Sequence, residues 1–290
     1  MQQLTGKTAF ITGGASGIGY ALAKAALGEG MRVVIVDVDA KALENAQAAL
    51  AGANTELLAL QLDVTDREQY AAVAAQVAER FGDVHLVCNN AGVYRGGAMD
   101  QASYEDWDWV MGVNVGGVVN GVQTFAQKMK AQGEGHIVNT ASMAGMATSP
   151  GLGIYNTSKF AVVGLSEALR DEMAEHNVGV SVLCPGMVRT RILESERTRP
   201  ANLAPSEQTS NSAAQQHNSM MQAAMHTGIE ADEVAGLVID GVKNNQFYLF
   251  PHPELQPAVA ERFAAVMQDF GDPDPERVAQ LAKLGERRKD

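Results

Sequence analysis

Tyr155 and Lys159 stand four residues apart in the segment GIYNTSKF (153–160), which has the composition of an ordinary helix. On a helix this spacing places a phenol and an ammonium on one face, about one turn apart. A free phenol has a pKa of about 10 and is a poor base at neutral pH, but a neighbouring cation favours its ionised form. The pair has two interpretations: a surface Tyr packed on a Lys stem, or a tyrosine that acts as a general acid and base.

A glycine-rich segment near the N-terminus, ITGGASGIG (11–19), follows a short apolar run and opens a predicted helix. Glycines at this place let the backbone turn tightly and approach a pyrophosphate, which the helix N-terminus attracts. Asp37 ends the next predicted strand, where a carboxylate accepts hydrogen bonds from the adenosine ribose. Asp37 would also suit the cap of the following helix, although Asp39 fills that role equally well.

The same carboxylate predicts which dinucleotide binds. Asp37 would repel the 2′-phosphate of NADP, and neither Gly14 nor Val38 supplies a basic side chain to receive it. We therefore predict NAD(H) as the cofactor rather than NADP(H).

Short β-branched runs alternate with alanine-rich helical segments along most of the chain. The predicted strands cover 7–12, 32–37, 57–63, 84–90, 135–142, 179–186 and 246–250. Strands that are apolar on both faces and separated by helices are typical of a parallel sheet covered on both sides. The sequence predicts an α/β fold, a Rossmann-type doubly wound parallel β-sheet with helices on both faces, in a single domain.

Two segments depart from this alternation. Residues 191–227 are polar, contain scattered Met, and are too long for an ordinary connection, so we predict a mobile lid over the substrate or a disordered insert. We expect residues 1–250 to form the NAD-binding catalytic domain that contains this lid. Residues 251–290, with clusters of Pro and charge, are expected to form a C-terminal extension.

The bulk composition excludes several classes of function. A formal net charge of −12 argues against nucleic acid and gives no reason to expect binding to anionic membranes. No apolar run approaches the roughly 20 residues that span a bilayer, and no secretory signal is present. Cys88 and Cys184 lie in apolar runs as expected of buried thiols, and the six His show no paired metal-site spacing. We predict no metal and a cytoplasmic setting.

From about residue 5 to 250, the chain resembles the short-chain dehydrogenase/reductase family. NNAG (89–92) follows the fourth predicted strand, and PGMVRT (185–190) follows the sixth. The resemblance implies a catalytic group of Asn114, Ser142, Tyr155 and Lys159. Motifs and resemblance together predict these cofactor contacts: Thr12, Gly13, Ser16, Gly17, Ile18, Gly19, Asp37, Val38, Asp63, Val64, Asn90, Ala91, Gly92, Tyr155, Lys159, Pro185, Gly186, Val188 and Thr190.

The resemblance also implies a role for each catalytic residue in NAD(H)-dependent interconversion of a secondary alcohol and a ketone. Tyr155 would exchange a proton with the substrate oxygen, which Ser142 would hydrogen-bond. Lys159 would favour the phenolate and hold the nicotinamide ribose, and Asn114 would hold a water that connects Lys159 to solvent. Taken singly, each has a structural alternative: a strand end for Ser142, a kinked helix for Asn114, and a solvated charge for Lys159.

The substrate is predicted to be bulky and largely apolar or aromatic, because methionines adapt to irregular apolar shapes. The candidate substrate residues are Tyr94, Met143, Met146, Met187 and Ile192, although core packing explains each Met equally well. The segments YEDWDWVMGVN, GHIVNTASMAG and VRTRILESERTRPANL resemble bacterial enzymes that oxidise the benzylic alcohol of lignin-derived aryl ethers.

Other functions remain as alternatives. A non-catalytic NAD sensor or scaffold would keep the glycine loop without the four polar residues. A nucleotide-sugar epimerase or dehydratase also uses Tyr and Lys four apart, but usually with GxxGxxG spacing and a larger C-terminal domain. The resemblance implies a homodimer or homotetramer assembled through the helices near 105–131 and 155–176.

Overall fold

The computed structural model describes residues 1–52, 56–204, 221–223 and 225–286. Contacts along the chain divide it into two compact units, Met1–Pro253 and Glu254–Asp290. In its described part the second unit holds two helices, α8 (Gln256–Gln268) and α9 (Pro275–Glu286). The predicted site residues all lie in the first unit.

The described residues contain seven strands, which form one parallel sheet in the order β3-β2-β1-β4-β5-β6-β7. They are β1 (Thr8–Thr12), β2 (Arg32–Asp37), β3 (Leu57–Gln61), β4 (Leu86–Asn89), β5 (Gly135–Thr140), β6 (Val178–Leu183) and β7 (Tyr248–Leu249). Each predicted strand is present, and the sheet confirms the predicted doubly wound Rossmann-type fold. Several strands end before the prediction does, such as β5 at Thr140 and β6 at Leu183.

Helices cover both faces of this sheet. They are α1 (Gly17–Gly28), α2 (Ala40–Leu50), α3 (Arg67–Phe81), α4 (Tyr104–Met111), α5 (Gly117–Gln132), α6 (Gly153–Ala174) and α7 (Ala231–Lys243). Ala9 and Ile11 of β1 belong to the core that α1, α2 and α7 cover. Phe10 points the other way, since successive strand residues alternate between faces. Its ring packs against Tyr70 of α3 and Phe125 of α5, with centroids 5.9 and 4.9 Å apart.

The predicted long helix over 105–131 is interrupted. Between α4 and α5 the chain adopts a π-helical stretch, Gly112–Gly116, with Asn114 buried at its centre. The Asn114 side chain accepts a hydrogen bond from the backbone N–H of Val93 at 2.8 Å and donates to the Val93 carbonyl at 3.0 Å. These bonds tie the stretch to the segment after β4, and π-helical turns of this kind are frequent at functional sites.

The neighbouring strands β1 and β4 mark the point where the strand order reverses, and the carboxyl ends of strands at such a point form a ligand-binding crevice. The glycine-rich segment follows β1 and NNAG follows β4, so the fold brings these two motifs together. Among the described residues, no helix is long and apolar enough to cross a membrane. Cys88 and Cys184 are buried free thiols, as predicted.

The predicted lid is described only in part, because residues 205–220 and 224 lie outside the described ranges. Its first portion forms two short 3-10 stretches, Ile192–Thr198 and Ala201–Leu203. Leu203 packs against an apolar cluster that includes Trp109 of α4 and Ile154 of α6. The start of the predicted lid is therefore attached to the body of the first unit.

Candidate active site

A cavity of about 310 Å³ opens at the carboxyl ends of the strands. Its lining includes every predicted cofactor residue except Thr12 and Gly19, and three of the four predicted catalytic residues, Ser142, Tyr155 and Lys159. The fold therefore gathers residues from six separate connections around one space.

Thr12 and Gly19 do not line the cavity, but both contact residues that do. The Thr12 hydroxyl oxygen accepts hydrogen bonds from the backbone N–H groups of Asn90 and Ala91, each at 2.9 Å, and so joins the glycine loop to NNAG. A Cβ atom on Gly19 would lie 2.1 Å from the carbonyl oxygen of Gly13, so only glycine allows the first turn of α1 to approach the loop. Gly17 has a φ of +52°, a left-handed conformation that favours glycine. This cradle at a helix N-terminus suits a pyrophosphate.

Asp37 lines the cavity at the end of β2. Its carboxylate accepts hydrogen bonds from the backbone N–H groups of Ala15 at 3.2 Å and Asp39 at 3.1 Å. Burial raises the pKa of Asp37, and these two N–H groups act in the opposite direction. The alternative role of Asp37 as the cap of α2 is wrong, because Asp39 caps this helix by accepting from Ala42 N–H at 3.0 Å. Asp39 also pairs with Arg197 of the lid, a contact that the sequence did not indicate.

Lys159 is a buried amine, only 3% exposed. Its Nζ donates a hydrogen bond to the Thr140 carbonyl at 2.9 Å and lies 5.6 Å from the centroid of the Tyr155 ring. Burial lowers the pKa of Lys159 to about 8. The alternative of a solvated helix charge is therefore wrong for Lys159.

Tyr155 is half-buried at the wall of the cavity. Burial raises the pKa of its phenol to about 12, and a hydrogen bond with Ser142 lowers it in part. The ammonium of Lys159 does not by itself make this phenol acidic, because burial penalises the phenolate and the amine is held at the Thr140 carbonyl. A lower pKa requires more positive charge in the cavity, such as an oxidised nicotinamide ring supplies.

The Ser142 hydroxyl lies where β5 passes into a 3-10 turn, Met143–Gly145. It donates a hydrogen bond to the Pro185 carbonyl at 3.2 Å and accepts one from Ala144 N–H at 3.1 Å. Ser142 therefore does stabilise the end of β5, as its structural alternative predicted. From the same position its hydroxyl also faces the cavity and contacts Tyr155.

Asn114 does not line the cavity, although it lies close behind it. Besides its bonds to Val93, its amide donates to the Ser158 hydroxyl at 3.0 Å, so both amide protons are used. A Cβ atom added to Gly92 would lie 3.4 Å from Asn114 Oδ1 and 3.6 Å from Lys159 Nζ. Asn114 and Lys159 therefore border the same point beside Gly92, which lines the cavity.

The predicted substrate residues are brought together only in part. Ile192 lines the cavity, whereas Tyr94, Met143, Met146 and Met187 are not in its described lining. Tyr94 is buried and meets the Tyr155 ring edge-to-face at 5.4 Å between centroids. The cavity instead has apolar or flexible walls that the sequence did not single out: Trp109, Val113, Leu203 and Met225. No local signal in the sequence showed that these side chains meet at the cavity.

A buried ion cluster attaches the start of the lid to α4. Asp106 is fully buried and accepts from Arg199 at 2.7 Å and Arg95 at 3.3 Å. The Arg199 guanidinium also lies over the Trp109 ring, 4.8 Å from its centroid. A third contact runs from the backbone N–H of Tyr94 to the Ser195 hydroxyl at 3.1 Å. These contacts fix the wall of the cavity that Trp109 and Ser195 line.

Within the described part of the chain, no three His, Cys, Asp or Glu side chains are grouped to hold a metal ion. His217 lies outside that part. Tyr155, Ser142 and Lys159 bring a phenol, a hydroxyl and an amine to the cavity wall, and these groups are suited to proton transfer.

Comparisons with known proteins agree with this site. A family model described as short chain dehydrogenase matches residues 7–201. C alpha-dehydrogenase from Sphingobium sp. strain SYK-6 is 35% identical over 97% of this chain and 92% of its own. A short chain dehydrogenase/reductase from Burkholderia phymatum, solved in complex with NAD, is 40% identical with a TM-score of 0.90, covering 95% of this chain and 99% of its own.

A further solved structure, a short-chain dehydrogenase from Sphingobium yanoikuyae in complex with NADPH, is 25% identical with a TM-score of 0.70, covering 92% of this chain and 97% of its own. Relatives of this chain therefore bind either dinucleotide.

The chain belongs to the short-chain dehydrogenase family, which confirms the resemblance. It is an oxidoreductase that interconverts an alcohol and a ketone with a nicotinamide cofactor. The comparisons give no support to a non-catalytic sensor, an epimerase or a dehydratase.

Proposed function

We propose that this enzyme oxidises a secondary alcohol on a bulky aromatic group, of benzylic type, to the ketone, with NAD as cofactor and Tyr155 as general acid and base. One observation carries the proposal. Tyr155, Ser142 and the buried Lys159 lie on the wall of the cavity that the predicted cofactor residues line.

When bound, NAD would supply the acceptor for the hydride of the alcohol carbon. Tyr155 takes the proton of the alcohol, or returns it in the reduction. Ser142 hydrogen-bonds the substrate oxygen and steadies its developing charge, which requires its hydroxyl to be shared with the Pro185 carbonyl. Lys159 supports the phenolate and holds the nicotinamide ribose, and protons reach solvent by a water between Lys159 and Asn114 beside Gly92.

The substrate class rests on the walls of the cavity. Trp109 and Leu203 offer flat and branched apolar surface, and Met225 and Ile192 from the lid add adaptable contacts. The relative named C alpha-dehydrogenase supports dehydrogenation at an alpha carbon, and the resemblance of three segments to enzymes that oxidise benzylic alcohols supports an aromatic neighbour. The substrate residues Tyr94, Met143, Met146 and Met187 remain proposals, with Tyr94 acting through its contact with Tyr155.

A substrate panel tests this proposal. We expect the highest kcat/KM with aryl secondary alcohols, and lower values with aliphatic secondary alcohols, steroids and sugars, because an aryl group gains an aromatic pair with Trp109 in addition to its apolar burial. Replacing Trp109 with Leu should lower kcat/KM for the aryl alcohols more than for an aliphatic alcohol. Indifference of the enzyme to every aromatic alcohol would refute the substrate class.

The preference for NAD rests on Asp37, which lines the cavity and whose carboxylate would meet the adenosine ribose. Replacing Asp37 with Ser removes the charge that repels a 2′-phosphate, so we expect kcat/KM to fall with NAD and rise with NADP. Arg197, which Asp39 now pairs, would then stand close enough to attract the phosphate. Steady-state kinetics with both cofactors measure the change. A wild-type enzyme with lower KM and higher kcat/KM for NADP would overturn the preference.

The proposal includes a homodimer or homotetramer in the cytoplasm, with residues 1–250 as the catalytic domain, 191–227 as the lid and 251–290 as an extension. Gly117 and Gly121 pack within the chain, because a Cβ atom there would meet Val64 at 2.7 Å and Asn89 at 2.0 Å. Gly164 on α6 faces open space and suits a contact with a second copy. Light scattering gives the number of subunits.

A further inference from the structure

His252 lies three residues after β7, at the end of the first unit, and is 5% exposed. Both of its ring nitrogens contact the segment that follows β6. Nδ1 lies 3.0 Å from the backbone nitrogen of Gly186, and Nε2 lies 2.9 Å from the carbonyl oxygen of Met187. The ring therefore bridges two successive residues of PGMVRT.

These two contacts determine the protonation of the ring. Nδ1 accepts from the Gly186 N–H and so carries no proton. Nε2 faces a carbonyl oxygen, which only accepts, and so carries the hydrogen. His252 is therefore held as the neutral tautomer with hydrogen on Nε2, an arrangement that uses every polar atom of its side chain.

The Gly186 N–H belongs to the same peptide group as the Pro185 carbonyl. That carbonyl accepts a hydrogen bond from the Ser142 hydroxyl at 3.2 Å and another from Met143 N–H at 2.9 Å. The peptide bond is trans, so its N–H and C=O point in opposite directions within one rigid plane. At one edge of this peptide group the Gly186 N–H donates to His252, and at the opposite edge the Pro185 carbonyl accepts from the Ser142 hydroxyl.

We propose that His252 is a positioning residue for Ser142, acting through the Pro185–Gly186 peptide group. The proposal rests on the proposed catalytic role of Ser142. With both ends of the peptide held, the Pro185 carbonyl fixes the Ser142 hydroxyl in the orientation that faces Tyr155. Without the imidazole, the Gly186 N–H loses its buried acceptor, and only the bonds from Met143 and Ser142 to the Pro185 carbonyl hold the peptide plane. A plane that is held at one end can tilt and shift its carbonyl relative to Ser142.

The test compares His252→Leu with His252→Gln in the full-length enzyme. Leu fills space without hydrogen bonds, whereas a carboxamide supplies one acceptor and one donor in a plane, as the neutral ring does. We expect His252→Leu to lower kcat by about tenfold to a hundredfold, the scale of a small misplacement of a catalytic group, with much less change in the KM for NAD. His252→Gln should recover most of kcat.

A matched control separates positioning from stability. His136 is also fully buried, and its Nε2 lies 2.7 Å from the Ser181 hydroxyl near the opposite end of β5. His136→Leu should lower Tm as His252→Leu does but leave kcat unchanged. Hydrogen exchange gives a readout apart from activity: the Gly186 amide should be protected in the wild type and in His252→Gln, and exposed in His252→Leu.

A double-mutant cycle with Ser142→Ala completes the test, because residues that act through one another are not additive. We expect His252→Leu to have little further effect on kcat once Ser142 is Ala. Additive losses, or failure of Gln to recover kcat while it restores Gly186 protection, would overturn the positioning role. Full activity of Ser142→Ala alone would instead refute the proposed role of Ser142, so the two failures are distinguishable.

Discussion

Tyr155→Phe is expected to abolish turnover while leaving NAD binding intact. Phenylalanine keeps the ring that meets Tyr94 edge-to-face but removes the hydroxyl that would exchange the substrate proton. A positioned acid or base contributes about 10² to 10⁴ in rate, so kcat should fall by at least the lower figure. Steady-state kinetics with an aryl alcohol measure kcat, and a fluorescence titration with NADH measures cofactor affinity.

Tyr70→Phe is the matched control for this substitution. Tyr70 is buried beside Phe10 and Phe125, outside the lining of the cavity, and its hydroxyl has no hydrogen-bond partner among the described residues. Removing an unsatisfied buried hydroxyl should leave kcat unchanged and Tm unchanged or higher. Activity of Tyr155→Phe close to that of Tyr70→Phe would exclude Tyr155 as the acid and base.

Asp106→Leu is expected to cause a large loss of stability and weaken substrate binding. The substitution leaves Arg199, whose side chain is 3% exposed, and Arg95 without their buried counter-charge. Removing one partner of a buried ion pair costs about 3–5 kcal/mol, because the remaining charge is uncompensated. Calorimetry should therefore show a markedly lower Tm. The KM for the alcohol should rise as well, since Arg199 joins the lid to α4 and packs over Trp109.

Two further variants test the physical cause. Glu44→Ala removes a solvent-exposed pair with Lys41, which is expected to leave stability almost unchanged. Adding Arg199→Met to Asp106→Leu should restore part of the lost stability, because the uncompensated charge is then removed. If Asp106→Leu destabilises no more than Glu44→Ala, the buried cluster does not hold the lid.

The pH dependence of this effect has a definite sign. Burial acts to raise the pKa of Asp106, but Arg199 and Arg95 outweigh it, and the folded-state pKa is lowered. A carboxyl group with a lowered folded pKa contributes stability that is fully present above the unfolded value of about 3.9 and is lost as the pH falls through the folded pKa. The difference in stability between wild type and Asp106→Leu should therefore shrink only below about pH 4.

The cofactor side of this protein could be predicted because its signals are local. The glycine loop, Asp37 and NNAG each follow a strand, and the carboxyl ends of parallel strands meet at one edge of a sheet. Every cofactor residue predicted in this way either lines the cavity or, like Thr12 and Gly19, contacts residues that line it.

The substrate side could not be predicted to the same extent, because contacts between distant segments form it. Met143, Met146 and Met187 are adjacent to predicted motifs, yet Trp109, Leu203 and Met225 provide the described walls. Their meeting depends on how the lid docks on α4, which the pairing of Asp106 and Arg199, 93 positions apart, decides. No periodicity or spacing encodes such a pair.

The amino-acid sequence alone determined the order of strands and helices, the family and the residue types available for proton transfer, since these follow from periodicity and from motifs within a few residues. Tertiary structure alone decided how those residues behave. Burial sets the pKa of Lys159 near 8 and that of Tyr155 near 12. The peptide group between Pro185 and Gly186 connects His252 to Ser142 through a hydrogen bond at each end. The physical reason is that desolvation and hydrogen-bond geometry depend on everything that packs around a group, including segments far away along the chain.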